Sequence, residues 1–146
     1  MSTKYESAEL ILKLYDLRRE EVMRKARDWM FGFNPTTVEE YSNTMMNPEV
    51  GAYLRMVVSY WDMAATLVNQ GAIDAEMFDQ TNGEHIMVFA KIEPILADLR
   101  EMWGMPEALS NLEKVIMASP DGAEKVKKTQ EWLKQITAQI AEASAA

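Results

Sequence analysis

Between Asn47 and Gly71 the sequence reads as one helix, punctuated at both ends and apolar around most of its circumference. Asn47 suits an N-cap, Pro48 the first helical position, and Gly71 the position just past the end. Val50, Leu54, Val57, Trp61, Ala64 and Val68, with their apolar neighbours, leave only a narrow polar stripe of Arg55, Ser59, Asp62, Thr66 and Asn69. A helix of that kind has to be surrounded by others. The chain is therefore expected to form a compact, all-α, single-domain bundle of five or six helices around a largely buried central one.

Length and composition fit that expectation. The chain has 146 residues, 48% of them hydrophobic, enough for one core and one domain spanning 1–146. With no cysteine, disulfides and thiolate chemistry are excluded. Lys4, Glu6 and Glu9 interrupt the apolar run a secretory signal would need. The longest membrane-like stretch, Met56 to Val68, contains Asp62 and falls short of the roughly 20 residues a span requires. A cytoplasmic location is expected. Net charge is −8, and residues 35–113 carry thirteen acidic against three basic side chains, so neither nucleic acid nor a membrane is an expected partner. Arg18, Arg19, Arg24, Lys25 and Arg27 are interleaved with acids. They read as a solvated helical face, with Glu20–Arg24 and Glu21–Lys25 available as i to i+4 pairs.

The remaining segments carry helical period. The first helix is expected from Thr3 to Met30, opened by the capping box Thr3-x-x-Glu6, with Ala8, Ile11, Leu12, Tyr15, Val22, Ala26, Trp29 and Met30 on its buried side. A short helix follows from Thr37 to Met45. Asp74 caps a returning helix, whose continuous phase across Asn82-Gly83 and Pro94 predicts a single kinked helix from Ala75 to Trp103. Pro106 opens a shorter helix, and Ser119 caps the last one, with Pro120 in its first turn. In that last segment, 119–146, Val126, Leu133 and Ile140 form a heptad seam, expected to dock on the bundle or to pair with a second copy. Met23, Met30, Met63, Met77 and Met102 are in phase with core positions; Met45, Met46, Met105 and Met117 fall near helix ends.

Chemistry is narrowed by elimination. His85 is the sole histidine, which excludes a di-iron site built on two Glu-x-x-His motifs and a His-rich zinc site. Asp79 to Glu84 contains no arginine, so the Arg/His pair of helical nucleases is missing, as are a phosphate loop and a nucleophile elbow. No catalytic residue, cofactor or metal is expected. Arg55 and Asp62 either line a solvent edge or line a pocket, because buried charges need partners. The candidate ligand-binding residues are Arg55, Tyr60, Trp61, Asp62, Glu84 and His85. The leading expectation is a module that binds a protein partner or itself. The alternatives are a small-molecule-binding bundle, its pocket between the central and returning helices lined by Tyr60, Trp61, Asp62 and His85, and an enzyme using Asp62, Glu84 and His85.

Tyr60-Trp61-Asp62-Met63, the turn Gly71-Ala72-Ile73-Asp74, Gly83, Pro94 followed by Arg100, and Ala26-Arg27-Asp28-Trp29 followed by Pro35 resemble a bacterial helical family known only as a domain of unknown function. The likeness covers about residues 5–118. It implies the helical fold and adds no catalytic residue. It also implies an aromatic near the middle of the returning helix, where this chain has Lys91.

Overall fold

The computed structural model describes residues 1–145. Among them are eight helices and no strand: α1 Lys4–Arg18, α2 Glu21–Phe31, α3 Val38–Met45, α4 Gly51–Asn69, α5 Ala75–Thr81, α6 Glu84–Trp103, α7 Ser110–Ala118 and α8 Gly122–Ala145. The all-α expectation holds, and α4 is the central helix, packed between α2 and α7 and touching α3 and α5. Leu54, Val57, Trp61, Ala64 and Ala65 are fully buried in one continuous core. Asn47 accepts from the backbone N–H groups of Glu49 and Val50 at 2.8 and 3.1 Å, closing the turn that leads into α4.

Eight helices replace five or six because two long segments break. The first breaks at Arg19-Glu20. Glu20 is extended at φ −58°, ψ 142°, and its carboxylate caps α2 by accepting from Met23 N–H at 2.9 Å. The corner shifts the helical phase by one residue, so of the two adjacent positions expected inside, Met23 is buried and Val22 is exposed. Leu12 and Tyr15 also face solvent, Leu12 being 66% exposed, while Ser7, Ile11 and Leu14 form the inner face of α1. The second break is at Asn82, extended at φ −133°, ψ 143°. Its side-chain amide donates to the Phe78 carbonyl at 3.2 Å at the end of α5, and its carbonyl oxygen accepts from Arg18 at 2.8 Å. A local cap and a long-range tie thus outweigh the continuous apolar phase.

Pro94 lies within α6 without ending it. Proline cannot donate to the carbonyl of Ala90; the side-chain amide of Gln130 on α8 donates there instead, at 3.1 Å. Lys91 fills the place where an aromatic was expected. Its ammonium donates to the carbonyls of Met30, Phe31 and Phe33, each at 2.8 Å, and to Asn34 Oδ1 at 3.2 Å. A cation therefore closes the C-terminal end of α2, where the helix dipole and unpaired carbonyls favour it.

α7 starts at Ser110, not at Pro106, and α8 at Gly122, not at Pro120. A Cβ on Gly122 would lie 1.8 Å from the Ile116 carbonyl oxygen, so only glycine lets α8 leave α7 that closely. Ser119 ends α7, its hydroxyl donating to Ile116 O. Along α8, Val126 and Leu133 join the core, whereas Ile140 is 57% exposed. Met63 and Met102, placed in the core by phase, are exposed.

Candidate functional site

The six candidate residues separate into two groups. Arg55 is exposed and donates to the Met45 carbonyl at 2.7 Å, closing the end of α3. Asp62 accepts from Leu112 N–H at 3.0 Å and from the Asn111 side chain at 3.3 Å, while Asn69 donates to Asn111 O at 3.1 Å. The polar stripe of α4 is therefore solvated at Arg55 and Ser59 and clamps the start of α7 at Asp62 and Asn69.

Tyr60, Trp61, Glu84 and His85 come together where α4 meets the start of α6. Tyr60 lies edge-on to Trp61 at 4.9 Å between ring centroids, Trp61 lies 5.6 Å from His85, and His85 lies 4.9 Å from Phe78. The Tyr60 hydroxyl donates to the Leu14 carbonyl, and burial raises its pKa. His85 is 2% exposed, and burial lowers its pKa from 6.5 to about 4, so the ring is neutral at pH 7. Two buried nitrogens in this layer, Trp61 Nε1 and His85 Nδ1, have no hydrogen-bond partner. Such groups are uncommon in folded proteins and costly without a partner.

His85 lines a cavity of about 550 Å³. Val68, Phe78 and Val115 supply apolar walls, Asn69 and Asp79 polar ones, and the segment Ala118 to Pro120 the far side. Asp79 is ion-paired with Lys125 at 3.2 Å. Tyr60 and Asp62 do not line this space, and Trp61 faces a different, smaller cleft beside α1 and α2. Glu84 lines that second cleft, held by Arg27 through Nε to both carboxylate oxygens at 3.1 and 2.9 Å. Asp62, Glu84 and His85 thus have three different sets of neighbours.

Sequence reasoning missed Arg18 and Arg27, whose partners Asn82 and Glu84 lie 64 and 57 residues away. It also missed Asp79 with Lys125. Of the two local pairs expected, Glu21–Lys25 forms at 3.6 Å, while Glu20 is taken by its cap. Buried polar residues between two glycine-marked turns, such as His85 after Gly83, were the available signal for the cavity.

Among the described residues, no three His, Asp or Glu side chains are placed to hold a metal ion, and no helix is long and apolar enough to cross a membrane. No curated protein and no solved structure matches the chain. Residues 5–119 do match a family, and the chain accordingly belongs to the one described as Domain of unknown function (DUF4760).

Proposed function

We propose that this chain is a cytoplasmic small-molecule-binding bundle whose ligand occupies the His85 cavity. The observation that carries the reading is a neutral, buried imidazole, its Nδ1 without a partner, in a side chain that lines a cavity of about 550 Å³. That volume lies within the range of ordinary ligand pockets, which are mostly apolar with a few placed polar groups. Of the two carboxylates on the wall, Asp79 is ion-paired with Lys125 and Glu76 accepts only from the Gln80 amide, so an anionic ligand is disfavoured. A hydroxyl suits His85 in either tautomer, because it donates and accepts. The ligand class is a small, mainly apolar molecule bearing one hydroxyl.

Native mass spectrometry of the purified protein tests this. A retained mass of a few hundred daltons or less, lost in Val115→Trp while that variant stays folded, supports the reading. A bare protein that also takes up no small alcohol or phenol when these are added counts against it.

A second reading, self-association, is favoured by the seam on α8. Its first two members are docked and its third, Ile140, is exposed, beside a groove of about 650 Å³ lined by Pro94, Leu133, Ala138 and Ala141. Light scattering of the parent and of Ile140→Glu tests it: a dimer that becomes a monomer supports pairing, and a monomer in both removes it.

A further inference from the structure

The smaller cleft, of about 220 Å³, lies across the Trp61–His85 contact from the cavity and has a different chemistry. Four arginines line it: Arg18 and Arg19 from the end of α1, and Arg24 and Arg27 from α2. We infer that this cleft is a binding site for a phosphate group. The inference is independent of the reading given for the cavity.

Donors converge on the cleft and its acceptors are spent. The only carboxylate in its lining, Glu84, is held by Arg27 through Nε to both oxygens and through Nη2 at 2.9 Å. Arg18 is held in place by three contacts: it donates to Asn82 Oδ1 at 2.8 Å, and its guanidinium carbon lies 5.1 Å from the Trp61 ring centroid and 5.4 Å from that of Tyr15. Arg19 has one long ion pair, 3.8 Å to Asp16. Arg24 is exposed, and its side chain makes no ion pair among the described residues. Arg18 and Arg27 are thus pre-oriented by the protein, Arg27 also donating through Nη1 to Arg18 O at 3.4 Å, and the exposed side chains of Arg19 and Arg24 can close on a ligand, an arrangement that lowers the ordering cost of binding.

Two further groups at the same cleft are donors without acceptors. Trp61 is fully buried and lines the cleft, and its indole N–H, which can only donate, has no partner. The 20-residue helix α6 begins here at Gly83 and Glu84 with no side-chain cap; the Ile86 amide donates to Gly83 O at 3.1 Å, and the positive end of the helix is otherwise left without a side-chain acceptor. Space is open at Gly83, where a Cβ would meet no atom within 4 Å, so a ligand oxygen can approach the backbone. Several guanidinium groups and a helix N-terminus together match a tetrahedral dianion, with more oxygens and more charge than a carboxylate offers. The clustering of arginines on a chain of net charge −8 makes the cleft a local exception to the surrounding potential.

The test is an NMR titration of the ¹⁵N-labelled full chain at low ionic strength with inorganic phosphate, with glycerol phosphate, and with acetate as the carboxylate probe. The expected result is a saturable shift of the Gly83 and Glu84 amides and the Trp61 indole N–H with either phosphate probe, and about tenfold weaker binding of acetate. The tighter phosphate probe tells whether the group is free or carried on an organic molecule. The double variant Arg19→Ala/Arg24→Ala removes two exposed side chains, so its spectrum away from the cleft should be unchanged while phosphate affinity falls about tenfold or more. No saturable response at the cleft, an equal response in the double variant, or acetate binding as tightly as phosphate would overturn the inference.

Discussion

Asp62 on α4 accepts a hydrogen bond from Leu112 N–H in the first turn of α7, at 3.0 Å. The residue in the N-cap position of α7, Leu109, has a left-handed backbone at φ 57° and no side chain able to cap. One helix therefore supplies the cap another lacks, and the polar stripe of α4 is explained by structure at Asp62. Asp62→Ala should cost about 2 kcal/mol, combining a lost cap with the lost Asn111 contact. Arg55→Ala, on the exposed half of the stripe, should cost no more than about 0.5 kcal/mol. Urea denaturation of both variants checks the difference; equal midpoints would show that the clamp contributes nothing.

Lys91 gives a second prediction. Burial lowers its pKa to about 8, which leaves it mostly charged at pH 7, bonded to four oxygens. Lys91→Met would strand the carbonyls of Phe31 and Phe33, while that of Met30 still accepts from Phe33 N–H at 3.1 Å, and should cost about 3 kcal/mol. Lys128→Met, which removes only the exposed Glu124 pair on α8, should be nearly neutral. If the two variants unfold at the same denaturant concentration, the cap on α2 is not stabilising.

Trp61 is the largest fully buried side chain of the central helix. Trp61→Ala should cost about 3 to 5 kcal/mol. A parent-like midpoint would mean that α4 is not the centre of the core.

Stability should fall in acid because of His85. Its pKa is 6.5 when unfolded and about 4 when folded, so below pH 6.5 the unfolded chain binds a proton that the folded chain refuses. The stabilisation is fully present above about pH 6.5, is lost progressively as pH falls toward 4, and amounts to about 3 kcal/mol at the limit. His85→Phe should flatten this part of the pH–stability curve. Carboxylates held low by backbone N–H groups, such as Asp74 capping α5, also weaken the fold in acid, but they do so equally in both proteins. A variant curve parallel to the parent's would contradict a buried neutral imidazole.

Much of this architecture was legible in the residues. The apolar circumference of Asn47 to Gly71 and the closing Gly71 identified the central helix because both signals are local, although α4 begins at Gly51, with Val50 and not Asn47 in the N-cap position. The capping box at Thr3 was legible for the same reason, and it forms. What failed was phase continuity across Arg19-Glu20 and Asn82-Gly83. There the breaks are made by a glutamate cap and by an asparagine tied to Arg18, and neither interrupts the apolar period. The aromatic layer of Tyr60, Trp61 and His85 follows from helical spacing. Its arginine neighbours do not, because Arg18 and Arg27 look like a solvated face until Asn82 and Glu84 arrive through the fold.

The most direct test of the His85 cavity uses the fact that the chain has a single histidine. In long-range ¹H–¹⁵N correlation spectra, its two ring nitrogens are observed without overlap. The expected result is a neutral imidazole at pH 7 whose ring ¹⁵N resonances shift saturably when phenol or a small alcohol is added, and no such shift in Val115→Trp. An imidazolium at pH 7, or a neutral ring that responds to none of these probes, would contradict it.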